Sequence, residues 1–219
     1  MKKLAISLSV AVLVGTALAF SSFATDEQTD IFRSLKAELA DINSTKEISF
    51  AQVENEDITN KEFQIYKAYM NANQKLNNIQ MNLSDNELLK DLVIDKLLVQ
   101  EAEKQGVAVS LKEAEVHSQE MRKILESTTD EKAKDFQKNV IEVTGLSEEE
   151  YWEKHAPSAY RNQLSVQNLI EKLVQDGILP NAAEDPDSFD KAYQNYKEDL
   201  YASHSKKVKI FTNEIQLKD

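Results

Sequence analysis

The chain has 219 residues, 41% hydrophobic and 29% charged, and its 26 Lys and Arg against 38 Asp and Glu give a formal charge of −12. Only 4 Gly and 3 Pro occur, which excludes a β-sandwich or barrel, where a turn recurs about every 8–12 residues, and leaves no Gly-rich phosphate loop. With no Cys there are no disulfides, thiolate zinc sites or cysteine nucleophiles. An acidic surface repels phosphate backbones and anionic lipid, so nucleic acid is not an expected partner.

Met1-Lys2-Lys3, the apolar run from Leu4 to Phe20 and the small-x-small sites Ala17-Leu18-Ala19 and Ser22-Phe23-Ala24 read as a secretory signal over residues 1–24, cut after Ala24. An uncleaved anchor is the alternative; the run's 17 residues stand at the lower limit of a bilayer span. The expected location is outside the cytoplasm, extracellular or in the cell envelope. No membrane insertion follows cleavage, and without Cys the protein is not a lipoprotein.

The expected fold class is mainly α: a bundle of about six to seven helices, with a small two- or three-stranded sheet joining the N- and C-terminal segments. Residues 25–46 are an N-terminal helix or linker, with Ile31, Leu35, Leu39 and Ile42 on one face, and residues 47–219 are one helical domain. The Ser/Thr-x-x-Glu boxes at Thr59, Ser84, Ser110 and Ser147 each open an apolar-periodic run. The run after Ser84, from Leu88 to Ala102, is apolar on most sides and reads as the central core helix, stopped at Gly106. Pro157 is expected to kink or split the helix that runs from Ser147 to Gln175. Asp185-Pro186 opens the last helix, with Phe189, Tyr193, Tyr196 and Leu200 on its core face. Ile48–Val53 and Val208–Ile215 alternate as strands, the first meeting a polar turn before Ile58.

Several spaced elements, in order, make the stretch from Ile48 to Val174 resemble the N-terminal domain shared by the chaperone SurA and the foldase PrsA. They are Leu92-Val93-Ile94-Asp95-Lys96-Leu97-Leu98, Glu101-Ala102, Gly106, Val107-Ala108-Val109-Ser110 and Glu113-Ala114-Glu115. Phe50-Ala51-Gln52-Val53 with Asp57-Ile58-Thr59 upstream, and Tyr160-Arg161 with Ile170-Glu171-Lys172-Leu173-Val174 downstream, match that family's first hairpin and closing helix. The resemblance implies a chaperone domain that holds unfolded or secreted client polypeptides without a cofactor. In that family a parvulin-type prolyl isomerase precedes the returning C-terminal helix and strand. Here Gly177-Ile178-Leu179-Pro180 leads almost directly to Asp185, with no room for it. Asn55-Glu56 stands where the family has Asn-Gly, and the lipidated Cys of PrsA-type proteins is missing.

The expected peptide-binding face is the wide apolar arc of the helix after Thr59 and the loop beyond it: Phe63, Tyr66, Tyr69, Met70, Leu76, Ile79 and Met81. Adaptable Met and aromatic side chains beside amides such as Asn71, Asn73, Gln74 and Asn77 suit a groove for varied extended peptides. The same arc also fits a helix packed between two neighbours. No catalytic residue is assigned. His117, His155 and His204 lie on separate segments without metal-ligand spacing, and His117 reads as a partly buried structural residue. The alternatives kept open are a prolyl isomerase with an unrecognised site, and a structural or assembly partner, including a homodimer.

Overall fold

The computed structural model describes residues 26–79 and 81–211. The signal expected over residues 1–24 and the end of the strand expected beyond Phe211 lie outside the described residues. The described part has seven helices and a small sheet, as the sequence leads one to expect. In chain order these are α1 (Asp26–Ser44), β1 (Ser49–Val53), β2 (Glu56–Thr59), α2 (Asn60–Leu76), α3 (Asp85–Lys104), α4 (Leu111–Ser127), α5 (Glu131–Thr144), α6 (Ala156–Gln175), α7 (Pro186–His204) and β3 (Val208–Ile210). Among the described residues no helix is long and apolar enough to cross a membrane.

The helix starts follow their capping chemistry. Ser84, Ser110 and Ser147 each make the reciprocal box with a Glu three residues on. At Thr59 only half the box forms. Its hydroxyl accepts from the Glu62 N–H, while the Glu62 carboxylate turns 2.8 Å to Lys96 on α3 and ties two elements together instead. Asp130 caps α5, accepting from the Lys132 and Ala133 N–H groups, rather than the Thr128 that stands three residues before Glu131.

Pro157 interrupts its helix as expected, through a π-helical turn over Tyr151–His155 just before it. The Ala156 N–H reaches back to the Tyr151 carbonyl, and Pro157 has no N–H to offer the Trp152 carbonyl. The fully buried Ser118 hydroxyl donates to that carbonyl at 3.0 Å and takes the missing place. The turn seats Tyr151 and Trp152, both fully buried, in the core.

The core has three patches. Phe32, Leu35 and Leu39 of α1 meet Phe136 and Val140 of α5, together with Tyr151, Trp152 and Tyr160. The sheet residues Phe50, Val53 and Ile58 meet Phe63 and Tyr66 of α2 and Leu88, Leu92 and Leu97 of α3. Ile94, Leu98 and Ala102 of α3 meet Leu169 and Leu173 of α6 and Tyr193 of α7. Helix α3 serves the last two, which is why its sequence is apolar on most sides. Helix α1 is no appendage: it packs on α2 and α5.

The sheet is antiparallel in the order β2-β1-β3. β1 and β2 form a hairpin whose Glu54 takes φ +55°. The Glu54 carboxylate sits 2.6 Å from Lys207 and 3.4 Å from His204, so the hairpin tip grips the chain just before β3.

Candidate functional site

The face expected to bind peptide divides in the structure. Phe63 and Tyr66 are buried under the sheet, and Met70 is half-buried against the same patch. Tyr69 and Leu76 are half-buried on the opposite side, against the α1–α5 patch, with Ala68 and Ala72 between them. Helix α2 is thus wedged between two cores, and that explains its wide apolar arc. Burial pushes the Tyr69 phenol up to about 12 and raises that of Tyr66 further, helped by a hydrogen bond to Asp95. Only Ile79 and Met81, in the loop after α2, are open to solvent, at 42% and 41% exposure. The amides of this segment hold the loop itself. Asn77 donates to Asn73, and the Gln74 side chain accepts from the Met81 N–H at 3.3 Å.

A different surface has the form of a site. Between the first three turns of α3 and the C-terminal strand lies an open-sided cleft of about 290 Å³. Its walls are mostly apolar: Leu89 and Val93 of α3, Tyr201 of α7, and Val208 and Ile210 of β3. Asn86, Glu87 and Lys90 form the polar rim. Glu87 belongs to the capping box, and the Ser84 N–H and hydroxyl hold its carboxyl below the usual range. Lys90 is fixed 2.6 Å from Glu198, with its ammonium 5.2 Å above the Tyr201 ring.

The backbone of β3 adds the second half. The Glu54 N–H donates to the Lys207 carbonyl and the Phe211 N–H to the Phe50 carbonyl, which makes Gln52 and Lys209 the hydrogen-bonded pair between them. The backbone groups of Lys207, Lys209 and Phe211 therefore face β1, and those of Val208 and Ile210 face away from it. The Val208 N–H is taken by the Ser205 carbonyl. The Ile210 N–H and the carbonyls of Val208 and Ile210 have no backbone partner among the described residues. A row of strand groups without a backbone partner among the described residues thus runs along the mouth of an apolar cleft. Ile210 and Phe211 stand 52% and 51% exposed beside it.

Behind the cleft the seam between α3 and α7 is polar. Lys197 is 6% exposed, with its ammonium 5.1 Å from the Tyr193 ring centre. Burial lowers its pKa against the pull of Asp91 and Asp95. Burial also raises the pKa of Asp91, against Lys197 and Lys90. This cluster joins Tyr66 of α2 to α3 and α7 and fixes α7, whose last turn carries Tyr201 into the cleft wall.

The three histidines stay apart in role. His117 packs edge-on against Tyr160 at 4.8 Å, His155 lies against Tyr151, and His204 is held by Glu54 and the Leu200 carbonyl. Among the described residues no group of three or more His, Asp or Glu could hold a metal ion.

Sequence reasoning missed Leu89, Val93, Tyr201, Val208 and Ile210 as a group because they come from distant segments. One signal was available: Val208-Lys209-Ile210-Phe211 places apolar residues on both faces of a terminal strand, more than one packed face requires. No family model matches the chain, and no curated protein or solved structure is found to be similar to it.

Proposed function

We propose that this protein is a chaperone-like binder that holds extended, unfolded polypeptide segments noncovalently by strand addition along β3, with client side chains seated in the cleft. The observation that carries this reading is the free row of Val208 and Ile210 backbone groups beside Leu89, Val93 and Tyr201. An extended peptide satisfies those groups whatever its sequence, which gives breadth. Every second side chain then enters the apolar cleft, which favours clients with exposed hydrophobic residues. Burying a few such side chains after ordering costs suits a micromolar complex, about −8 kcal/mol. Such binding lowers the concentration of free unfolded client by mass action.

The resemblance to the SurA/PrsA N-terminal domain supports the reading, and the leader-like residues 1–24 support clients met during or after export. The exposed Ile79 and Met81 offer a further apolar contact.

Ile210→Pro tests the proposal with little harm to the fold, because the Ile210 N–H points away from β1 and donates to no ladder bond. The unaltered chain is expected to slow the aggregation of a heat-unfolded client at equimolar ratio. The Ile210→Pro chain is expected to lose most of that effect while keeping its circular dichroism spectrum. Full protection by a folded Ile210→Pro chain overturns the proposal.

A further inference from the structure

The reading above leaves open which extended segments the edge prefers, and the charges around β3 bear on that. In a chain of net charge −12, the segment entering β3 is locally basic: Lys206, Lys207 and Lys209. Lys207 is committed to Glu54 at 2.6 Å, whereas Lys206 and Lys209 make no salt bridge among the described residues. Because Val208 and Ile210 line the cleft, strand alternation puts the Lys209 side chain on the opposite, solvent face of the sheet. There it lies beside Gln52, whose side-chain amide donates to Asp57 at 3.0 Å. Across the three strands the row runs Asp57, Gln52, Lys209, and it ends at the open edge on a positive charge that makes no salt bridge among the described residues.

The backbone register fixes what comes next. The Lys209 backbone is spent on β1, so a strand added antiparallel on the other side meets Lys209 in a non-hydrogen-bonded pair. In such pairs the facing side chains approach most closely. We propose that Lys209 sets the sequence preference of the edge: the strands β3 accepts carry apolar residues at alternate positions, facing the cleft, and an acidic residue between them, opposite Lys209. This rests on the strand-addition reading and adds a charge requirement to it. A second copy is a poor occupant, since two β3 edges side by side bring Lys209 against Lys209. In this respect the lysines guard the edge against self-association while selecting a partner of opposite sign.

The test uses two dye-labelled synthetic peptides, identical except that one carries Val-Glu-Val and the other Val-Lys-Val at its centre, with binding followed by fluorescence anisotropy at low salt. The unaltered chain is expected to bind the Glu peptide about 3-fold tighter than the Lys peptide, the scale of a cross-strand charge pair. Lys209→Glu is expected to invert the preference, Lys209→Gln to level it, and added salt to shrink it. Equal binding of the two peptides by the unaltered chain, or a preference that Lys209→Glu leaves unchanged, overturns the inference. If that binding is still lost in Ile210→Pro, strand addition stands and only the charge preference falls. If neither peptide binds the unaltered chain, the strand-addition reading falls and the preference with it.

Discussion

The two ends of the molecule solve the burial problem differently. Around the π-helical turn, α1, α5 and α6 close on Phe32, Phe136, Tyr151, Trp152 and Tyr160, an aromatic patch in which the Ser118 hydroxyl meets the Trp152 carbonyl. Around the sheet, α3 and α7 meet across a seam holding Lys197, Asp91 and Asp95, and the last strand leaves backbone groups unmet beside an open cleft. The first end spends its apolar residues on closure. The second keeps charge inside and hydrogen-bonding capacity outside, the combination on which the proposed strand addition rests.

Substitutions can break this contrast, the largest effect first. Trp152→Ala removes the largest fully buried side chain and is expected to cost about 4 kcal/mol, seen as a lower urea midpoint with global loss of structure. At the other end, Lys197→Ala leaves Asp91 and Asp95 without their buried counter-charge and is expected to cost about 3 kcal/mol, and Lys197→Met, which keeps the volume but strands the same carboxylates, is expected to recover only a small part of that loss. Equal losses for the two Lys197 variants would show that charge, not packing, holds α7, and full recovery in Lys197→Met would show the reverse. Ile210→Pro should move stability by less than about 0.5 kcal/mol while removing client protection, so that binding and folding separate at the sheet. Pairing Trp152→Ala with Ile210→Pro then sharpens the comparison: the first is expected to act on both stability and binding, the second on binding alone.

The smallest expected effect is acid sensitivity. Glu87, Glu113 and Glu150 accept from the backbone and hydroxyl of their capping serines, and Asp185 from Ser188; all four carboxyls are held below their ordinary range. For a depressed carboxyl, the folded state binds its proton more weakly than the unfolded state does. Its stabilising contribution is therefore present above the unfolded value, about 4, and is lost as pH falls through the depressed one. The thermal midpoint should hold from pH 7 to about 5 and decline below about 4. Asp91 runs the other way: burial raises its folded value, so its contribution is present in acid and lost as pH rises through that value. Asp91→Asn should therefore remove that offset and leave the decline toward acid steeper.

Much of the fold was legible because its signals are local. Ser84, Ser110 and Ser147 each carry a cap and its answering Glu within four residues, and Gly145 closes α5 at φ +73°. The apolar run of α3 announced a helix with no free face. What stayed hidden was relational. Phe63 and Tyr69 stand six positions apart on one helix, and periodicity shows that both are apolar but not that they enter different cores. The cleft joins Leu89 to Ile210, and its free groups follow from which residues of β3 pair with β1, a matter of register. The π-helical turn depends on Ser118, on another helix.

The pairing of β1 with β3 has a consequence for how the molecule is made. β1 leaves the ribosome with its hairpin partner β2, but the residues that cover its other side are synthesised only after every helix. Throughout translation β1 therefore waits as an unfilled acceptor, and the nascent chain matures by capturing its own C-terminal strand. The finished protein moves that vacancy one strand outward, so that a strand added to β3, as proposed, would repeat the last event of its own assembly.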